Sequence, residues 1–523
     1  MRIKSIMVVG GGSSGSMTAA AIAKIFGDRV KLSILEGKNT STIGVGESTM
    51  IKFNDYLKLL DLKDEDWMKH CDASYKTSVR FTNFRDGEGE VFEYPFGGQH
   101  TKESFSKWTS LAAKFNLDEN SFCEFVNHNY FLAKYNRLTK NEDNELNFCI
   151  NNDTAYHFDA SLFGKYLRDK FCKNATEYVD DIVSIEKDEH GYISNIVGDS
   201  GVKYTADLFI DCTGFKSLLL EQAMESEFCS FKPWLSNDRA IATRLPYTDK
   251  NSQLVNVTNC TALSSGWSWN TPLWSRMGTG YVYSSDFIDD DSAEKEFRKY
   301  LGTEDVEFRK INIRHGVHEK GWVKNVVGIG LSYGFVEPLE ATGLVSTHEM
   351  IKQLITVLLN SNLNVSGFDR DGYNYNCSML ISGYKDFVSA HYKLSKRVDT
   401  PYWRYQTEDK NWFNQKDNIG ALHRWGEDVN STTDCYYEQI LMNHSFLQRW
   451  TPDVAGIHYI MAGMGYKPIG HELYKQNESS IPEQDKVFFD SLYQDWRDHV
   501  KIVEDHVKSL PTTTEFLKTH IYN

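Results

Sequence analysis

Three features that would place this chain in other protein classes are missing from its 523 residues. It has no run of 18 or more apolar residues, which argues against a membrane-spanning helix. Its nine cysteines are scattered and form no C-x-x-C pair, which argues against a disulfide framework or a zinc ribbon and indicates buried thiols. A net charge of -15 disfavours nucleic acid and anionic membranes as partners, because both require a basic face.

The composition is that of a globular protein. Hydrophobic residues make up 41% of the chain and charged residues 25%, and the length allows two to four domains or one elaborated α/β enzyme. The N-terminus reaches its first glycines before an apolar region as long as that of a signal peptide, so we expect a cytoplasmic protein. Homo-oligomerisation is left open.

The strongest signal is a glycine loop near the N-terminus. Four apolar residues, Ile6 to Val9, precede a G-x-G-x-x-G sequence and the Ala-rich start of a helix. A second apolar run ends at Glu36, about 20 residues past the glycines, where an acid binds a ribose hydroxyl in dinucleotide-binding folds. This pattern predicts a bound dinucleotide and leaves FAD or NAD open. The loop residues expected to contact it are Gly10, Gly12, Ser13, Ser14 and Gly15.

Two later segments are expected at the same edge of the sheet. The segment 40–50 contains Gly46-Glu47-Ser48-Thr49, which is either a connecting turn or a loop that leaves room for a ligand. The segment 206–215 contains another buried strand, which ends at Gly214. In a doubly wound sheet, cofactors bind at the carboxyl ends of the strands.

The segment 326–359 predicts a third strand, a glycine-rich loop and a helix from about Leu344. Exposed backbone N–H groups before a helix form an anion site, and Glu340 stands beside this one. His315 and His318, three residues apart, supply only two of the three or four ligands of a metal site, so we predict no metal.

Aromatic residues form two notable groups. Tyr94 and Phe96 lie in a polar insertion, 86–154, where aromatics either anchor a lid to the core or form the walls of a pocket. Trp267 and Trp269 lie on one face of a predicted strand, which for paired tryptophans usually means core packing.

Two further predictions are local. Lys76 lies near a helix-to-strand junction and, like most lysines, is expected at the surface. Asp159 is expected to cap an amphipathic helix. The apolar face of that helix would consist of Leu162, Phe163, Tyr166 and Leu167.

Several segments together resemble the flavin-dependent tryptophan halogenases. The resemblance runs from the N-terminus to about residue 360, and its most specific part is the pair of tryptophans. The matching segments are the glycine loop with Gly44-Val-Gly-Glu-Ser-Thr49, Asp207-Leu-Phe-Ile-Asp-Cys-Thr-Gly-Phe215, Gly266-Trp-x-Trp-x-x-Pro272 and Glu337-Pro-Leu-Glu-Ala-Thr-Gly343.

The resemblance implies FAD as the cofactor, used as FADH2 from a separate flavin reductase together with O2 and a halide (chloride, bromide or iodide). In such enzymes these give hypohalous acid, which travels through a tunnel to a small aromatic substrate. Lys76 matches the lysine that steers this oxidant, and Glu340 matches the glutamate beside it. Thr342 and Gly343 match the halide-binding backbone.

The substrate end resembles the family less closely. Trp267 and Trp269 match the residues between flavin and substrate, and Tyr436 and Tyr437 match a pair that helps to bind tryptophan. However, Asn443 stands where a carboxylate for the ammonium group of tryptophan is expected. Tyr94 likewise replaces a stacking histidine, while Phe96 is kept, and Asn270-Thr271-Pro272 and Ala341 depart from the usual motifs. We therefore expect indoles or phenols as substrates, as would suit a marine bacterial or phage-encoded member.

The predicted fold is α/β, a doubly wound G-x-G-x-x-G FAD-binding fold of the flavin monooxygenase type with a mostly helical substrate-covering module. The flavin-binding module would consist of residues 1–90 and 155–345, and the substrate-covering module of 91–154 and 346–523. An aromatic monooxygenase would use the same fold, and a non-catalytic FAD-fold protein is the third alternative.

Overall fold

The structure is a computed structural model. It describes residues 1–39, 46–97, 102–140, 145–409, 454–465, 475 and 478–523. The predicted residues Tyr436, Tyr437 and Asn443, and the whole segment 40–45 before Gly46, therefore lie outside the described residues.

The chain divides into two compact units. Unit 1 comprises Met1–Ala73, Phe158–Asp238 and Asn312–Lys385, and unit 2 comprises Ser74–His157, Arg239–Ile311 and Asp386–Asn523. Residues 239–311, which we assign by sequence to the flavin-binding module, fall in unit 2. The functional division into two modules stays a prediction.

Unit 1 contains a six-stranded sheet that is parallel except at one edge. Its strands, in spatial order, are Trp322–Val323, Val326–Gly328, Leu208–Asp211, Ser5–Val9, Lys31–Glu36 and Thr176–Val179. The first of these pairs antiparallel to the second. The residues from Ile6 to Val9 are buried, as their apolar run predicts for a parallel strand covered on both faces. The predicted buried strands before Gly10, before Gly214 and at the start of the segment 326–359 belong to this sheet, whereas the strand Glu47–Ser48 of the segment 40–50 belongs to another.

Helices surround this sheet. The first, Ser13–Phe26, presents Ala19, Ala20 and Ala21 without exposed surface, so its small side chains let it pack closely in the core. The other α-helices of unit 1 are Phe53–Leu59, Asp64–Trp67, Ala160–Phe171, Thr342–Asn360 and most of Gly367–Lys393. A π-helical turn spans Leu218–Ala223, and short 3-10 helices span Gly27–Arg29, Met68–Cys71, Gly214–Lys216, Gly330–Ser332 and Pro338–Glu340.

Two small antiparallel sheets complete unit 1. One contains Lys203–Tyr204, Ile193–Gly198 and Ile182–Lys187, and the other contains Phe228–Ser230, Gly316–His318 and Gly334–Phe335. Glu47–Ser48 forms a two-residue strand where the sequence predicts a loop.

Unit 2 is built on a seven-stranded sheet. Its strands, in spatial order, are Arg309–Asn312, Arg239–Pro246, Arg276–Tyr283, Gly266–Pro272, Val257–Leu263, Ser78–Thr82 and Val91–Pro95. Val257–Leu263 pairs parallel with Ser78–Thr82, and a separate short strand, Ser74–Lys76, pairs antiparallel with Ala155–Phe158. The short strand places Lys76 directly before the sheet.

The helices of unit 2 pack mainly through aromatic side chains. Helix Asp290–Leu301 buries Ala293 and Phe297 against Tyr281 and Tyr283 of the sheet. The remaining helices are Lys102–Phe115, Ser121–Val126, Tyr130–Tyr135, Ile150–Asp153, Lys250–Gln253, Pro401–Arg404, Tyr405–Asp409, Val454–Gly463, Glu478–Ser480, Glu483–Ser509 and Thr513–His520. The described part of the chain after residue 365 is helical, as predicted.

The predicted cap of the helix at 159 is confirmed, and one part of its apolar face is wrong. The Asp159 carboxylate accepts hydrogen bonds from the N–H groups of Ser161 and Leu162. Phe163 and Leu167 are buried, but Leu162 is 42% exposed because it lies outside the buried face of the helix. Among the described residues, no helix combines the length and apolar character that crossing a membrane requires.

Candidate functional site

The glycine loop of unit 1 is shaped by two glycines that the fold itself requires. Gly10 has φ +117°, and a Cβ atom there would overlap the carbonyl oxygen of Cys212. A Cβ atom at Gly15 would overlap the carbonyl oxygen of Gly10. These two positions let the first strand turn tightly into its helix.

Gly12 differs from both, because a Cβ atom there would meet nothing within 4 Å. Gly12 is also the N-cap of helix Ser13–Phe26, and neither a capping side chain nor an acidic residue occupies the first turn. The positive end of the helix therefore faces open space beside Gly12, Ser13 and Ser14. This cradle fits the diphosphate of a dinucleotide such as FAD.

Glu36 lies at the end of its strand beside this loop. A Cβ atom at Gly11 would overlap the Glu36 carboxyl group, so the loop and the acid are in close contact. The Arg168 guanidinium forms an ion pair with Glu36, with Nη1 and Oε2 2.6 Å apart. Sequence reasoning missed Arg168, which orients the acid expected to bind the ribose.

The segment 46–49 also belongs to unit 1. Gly46 has φ +121°, and Thr49 is buried. Burial, followed by the charge of Asp159, raises the pKa of Glu47 to about 7. A carboxyl group that titrates near neutral pH is typical of functional loops.

Asp211 organises the turn that contains Gly214. One of its buried carboxylate oxygens accepts from the N–H groups of Leu219 and Leu220 at 2.8 Å, and the other accepts from the N–H group of Thr213 at 2.9 Å. Gly214 has φ +71° and open space at its Cβ position. The Asp-x-Thr pattern after a buried strand was the available sequence signal for this turn.

The predicted anion loop ends in helix Thr342–Asn360. The Thr342 hydroxyl is 2.9 Å from the carbonyl oxygens of both Val336 and Glu337, so it closes the loop that precedes the helix. Ala341 has φ +52°, and no side chain caps the helix. The backbone N–H groups at Thr342 and Gly343 therefore begin the helix, as an anion site requires.

Two buried carboxyl groups belong to this loop. Glu340 is fully buried, as is Glu337, whose Oε2 atom accepts a hydrogen bond of 2.8 Å from the Asn237 amide. Asn237 lies 100 residues away in sequence, so no local pattern could have identified it.

Lys76 of unit 2 is 1% exposed, which contradicts the prediction of a surface lysine. The three-residue strand Ser74–Lys76 fixes its backbone, with Lys76 opposite Ala155. The Nζ atom lies 5.1 Å from the centre of the Phe96 ring. Contact with an aromatic face stabilises a cation that burial has separated from water.

Tyr94 and Phe96 are buried together in unit 2. Their rings pack edge to face with centroids 5.7 Å apart, and Tyr94 also stacks on Tyr459 at 5.6 Å. A Cβ atom at Gly456 would lie 2.6 Å from the Tyr94 hydroxyl, so this glycine makes room for the ring. This packing is compatible with both predictions for these aromatics, which were anchors that hold a lid to the core and walls of a pocket.

Trp267 and Trp269 lie side by side on one strand of unit 2, as predicted. Their ring centroids are 6.2 Å apart with planes tilted by 57°. Trp267 is buried and Trp269 is half-buried. Trp269 lies opposite Gly280 on the neighbouring strand, and a Cβ atom at Gly280 would overlap its ring.

The two histidines considered as metal ligands are held by protein groups. His315 bonds to the carbonyl oxygen of Asn237, and His318 contacts the carbonyl oxygen of Tyr333 and the carboxylate of Glu221. Within the part of the chain that the structure describes, no group of three or more metal-ligating side chains occurs.

Comparison with known proteins relates the whole chain to one family. The family model for tryptophan halogenase matches residues 5–455. A 7-chloro-L-tryptophan 6-halogenase from Kutzneria sp. (strain 744), KtzR, is 35% identical over 426 residues, which is 76% of this chain and 81% of KtzR.

Two solved structures have the same fold over nearly their full lengths. VirX1, solved in its apo form, is 42% identical and superposes with a TM-score of 0.88, covering 100% of both chains. Tar14, a tryptophan C-6 flavin-dependent halogenase (chlorinase) from taromycin biosynthesis, is 30% identical with a TM-score of 0.84, covering 99% of both chains. These similarities confirm the predicted α/β FAD-binding fold.

Proposed function

We propose that this chain, which belongs to the tryptophan halogenase family, is a flavin-dependent halogenase that transfers chlorine, bromine or iodine to an electron-rich aromatic ring. The observation that carries the proposal is the buried Lys76 ammonium against the Phe96 ring. Burying a lysine costs stability, so a buried lysine is a candidate for a functional group, and this one matches the oxidant-binding lysine of the family.

The overall reaction balances with the cofactors that the family uses. When bound, FADH2 supplies two electrons, so that O2, a halide ion and a proton become hypohalous acid and water while FADH2 becomes FAD. We assign the diphosphate of this cofactor to the loop at Gly12, Ser13 and Ser14, and its ribose to Glu36. We assign Gly46, Glu47, Ser48, Thr49 and Gly214 to its other contacts. A separate flavin reductase would supply FADH2.

The halide would bind at the start of helix Thr342–Asn360. The N–H groups of Thr342 and Gly343 begin this helix, and its positive end favours a small anion. The Thr342 hydroxyl holds the loop in shape through the carbonyl groups of Val336 and Glu337.

Lys76 would then activate hypohalous acid. Its ammonium group donates a hydrogen bond to the oxygen atom of the oxidant, which draws electrons from the halogen and makes it more electrophilic. Burial of Lys76 strengthens this hydrogen bond, because water does not compete for the donor.

Glu340 would act on the other reactant. Attack of the ring on the halogen gives a cationic arenium ion, which a carboxylate stabilises and from which it can take the proton that leaves. We assign to Trp267 and Trp269 the bulk that prevents direct oxygen transfer, which would otherwise give a hydroxylated product.

The substrate we propose is an indole or a phenol without an amino-acid group. An enzyme for free tryptophan must pair the buried ammonium of its substrate, and leaving one member of such a pair alone costs roughly 3–5 kcal/mol. Here an amide, Asn443, stands at the position of the expected carboxylate. Tyr94, Phe96, Tyr436 and Tyr437 would contact the substrate ring.

A product assay tests the proposal. The protein is incubated with FAD, a flavin reductase, NADH and chloride, bromide or iodide, with a panel of indoles and phenols and with tryptophan. We expect products that carry the supplied halogen and require it, and a higher kcat/KM for a simple indole than for tryptophan. Hydroxylated products that form equally without halide would replace the proposal with a monooxygenase. A tenfold preference for tryptophan, about 1.4 kcal/mol, would contradict the substrate assignment.

A further inference from the structure

A row of buried hydrogen bonds in unit 2 begins two residues before Lys76. The Ser74 hydroxyl donates to the carbonyl oxygen of Pro272 at 2.5 Å and lies 3.3 Å from Nδ1 of His157. On the other side of the ring, Nε2 of His157 lies 2.8 Å from the Thr258 hydroxyl. The side chains of Ser74, His157 and Thr258 are all buried, so water does not substitute for these contacts.

The direction of each hydrogen bond follows from the number of protons available. Ser74 has one hydroxyl proton and gives it to Pro272, so in its contact with His157 the Ser74 oxygen accepts from Nδ1–H, and the ring also interacts with the Pro272 carbonyl group. Burial, followed by the positive charge of Lys76, lowers the pKa of His157 well below its usual value, so the imidazole is neutral. A neutral ring with its proton on Nδ1 leaves Nε2 as the acceptor for Thr258.

These bonds join the strand of Lys76 to the strand of the paired tryptophans. Ser74 lies opposite His157 and Lys76 lies opposite Ala155 in the same antiparallel pair. Pro272 is the last residue of strand Gly266–Pro272, three residues after Trp269. Directly after Lys76, Thr77 is fixed by two backbone hydrogen bonds, from its N–H group to the Asn256 carbonyl oxygen at 2.7 Å and from the Phe96 N–H group to its own carbonyl oxygen at 2.8 Å. The contacts of Ser74 therefore hold the other end of this three-residue strand.

We propose that His157, as the Nδ1–H tautomer, is a positioning residue that holds Lys76 in register with the tryptophan strand. This inference deepens the proposed halogenation and rests on it. The required accuracy is high, because a shift of about 1 Å in a reacting group can reduce a rate about 100-fold. His157 itself need not touch the oxidant or the substrate.

Two substitutions of His157 separate positioning from packing. In His157→Asn, the amide N–H lies near the position of Nδ1 and can still donate to Ser74. In His157→Gln, the amide reaches the position of Nε2 instead. We expect His157→Gln to lower the yield of halogenated product per FADH2 oxidised about tenfold or more, and His157→Asn to stay within about threefold of wild type.

Ser74→Ala provides an independent test, because it removes the central acceptor and leaves His157 in place. We expect Ser74→Ala to lower the yield of halogenated product as His157→Gln does. If His157→Gln does not fold, Ser74→Ala replaces it as the test variant. FAD affinity and the rate of FADH2 oxidation should be unchanged in all of these variants, since the residues concerned lie in unit 2 rather than in the glycine loop.

The matched control is His391→Asn. His391 is another buried histidine of unit 2, with Nδ1 3.0 Å from the carbonyl oxygen of Phe387. This variant should lose stability without losing product yield.

Three results would overturn the positioning role: wild-type yield in both His157→Gln and Ser74→Ala, equal losses in His157→Gln and His157→Asn, or an equal loss in His391→Asn. Absence of halogenated product from the wild-type protein would instead overturn the proposed function, so the two failures are distinguishable.

Discussion

The Nζ atom of Lys76 lies 5.1 Å from the centre of the Phe96 ring, and both side chains are buried. A desolvated cation over an aromatic face gains about 2 kcal/mol. We expect Phe96→Leu to lower kcat/KM for halogenation about tenfold, which corresponds to about 1.4 kcal/mol, because the ammonium group loses the ring that orients it.

The control for this prediction is Phe297→Leu, which removes a buried ring of unit 2 that packs against Tyr281. Steady-state halogenation of an indole at saturating halide measures both variants. Equal losses in the two would indicate general destabilisation, and an unchanged Phe96→Leu would show that the ring does not assist Lys76.

The open space at Gly12 gives a prediction about the cofactor. Gly12→Val should leave the melting temperature of the FAD-free protein nearly unchanged, since a Cβ atom at this position meets no atom within 4 Å. The same side chain would occupy the diphosphate cradle, so we expect the Kd for FAD to rise about 100-fold or more, about 2.7 kcal/mol. Flavin fluorescence titration measures the affinity.

Gly372→Val is the matched control, because Gly372 also has open space at its Cβ position and lies in helix Gly367–Lys393. It should bind FAD normally. Gly15→Ala should behave differently from both and destabilise the fold itself, because its Cβ atom would overlap the Gly10 carbonyl oxygen. Wild-type FAD affinity in folded Gly12→Val would show that FAD does not bind at this loop.

The Thr342 hydroxyl gives a prediction about the halide. Thr342→Val leaves the carbonyl groups of Val336 and Glu337 without this donor, which costs about 1–3 kcal/mol in a buried site. We expect the loop to loosen and the KM for bromide to rise about tenfold. Thr342→Ser keeps the hydroxyl and should restore a near-normal KM. A lower melting temperature in Thr342→Val with no change in the KM for bromide would show that the shape of this loop does not affect halide binding.

His348 gives a prediction about pH. Burial, followed by the charges of Lys352 and Lys52, lowers its pKa to about 3, against about 6.5 for an unfolded chain. Between these values the unfolded state binds more protons, so the free energy of unfolding rises with pH through this window and levels off above it. This group alone should remove about 2 kcal/mol of stability when the pH falls from 7 to 5.

The comparison of wild type with His348→Phe isolates this contribution. Phenylalanine suits the site because the His348 ring packs against Phe53 and Tyr56. Urea unfolding at pH 5, 6 and 7 should show a steeper loss for wild type than for the variant. The Glu349 carboxylate, 3.5 Å from Nδ1, favours the protonated ring. If the free energies of unfolding of wild type and variant change equally with pH, this carboxylate offsets the effect of burial on the pKa of His348.

The sequence was most informative where chemistry and backbone geometry coincide in one short segment. The loop from Gly10 to Gly15 is local, and two of its glycines, Gly10 and Gly15, are needed whether or not a ligand is bound, so the pattern can be recognised in the sequence. The cap at Asp159 is equally local, because a carboxylate reaches only the next turn of its own helix.

The surroundings of Lys76 could not be predicted in the same way. Lysines are usually exposed, and the burial of this one depends on Phe96, 20 residues away, and on a strand pair with Ala155. His157 is linked to Ser74 and Thr258 across 83 and 101 residues, and Ser74 to Pro272 across 198. Such contacts are a product of tertiary packing, which a single sequence does not reveal.

The most direct measurement compares wild type with Lys76→Ala under identical conditions, with FAD, a flavin reductase, bromide and a simple indole. NADH consumption and brominated indole are followed together. If Lys76 activates the oxidant, Lys76→Ala will oxidise FADH2 at the wild-type rate and form little or no brominated product. Bromination by Lys76→Ala at the wild-type rate would contradict the account.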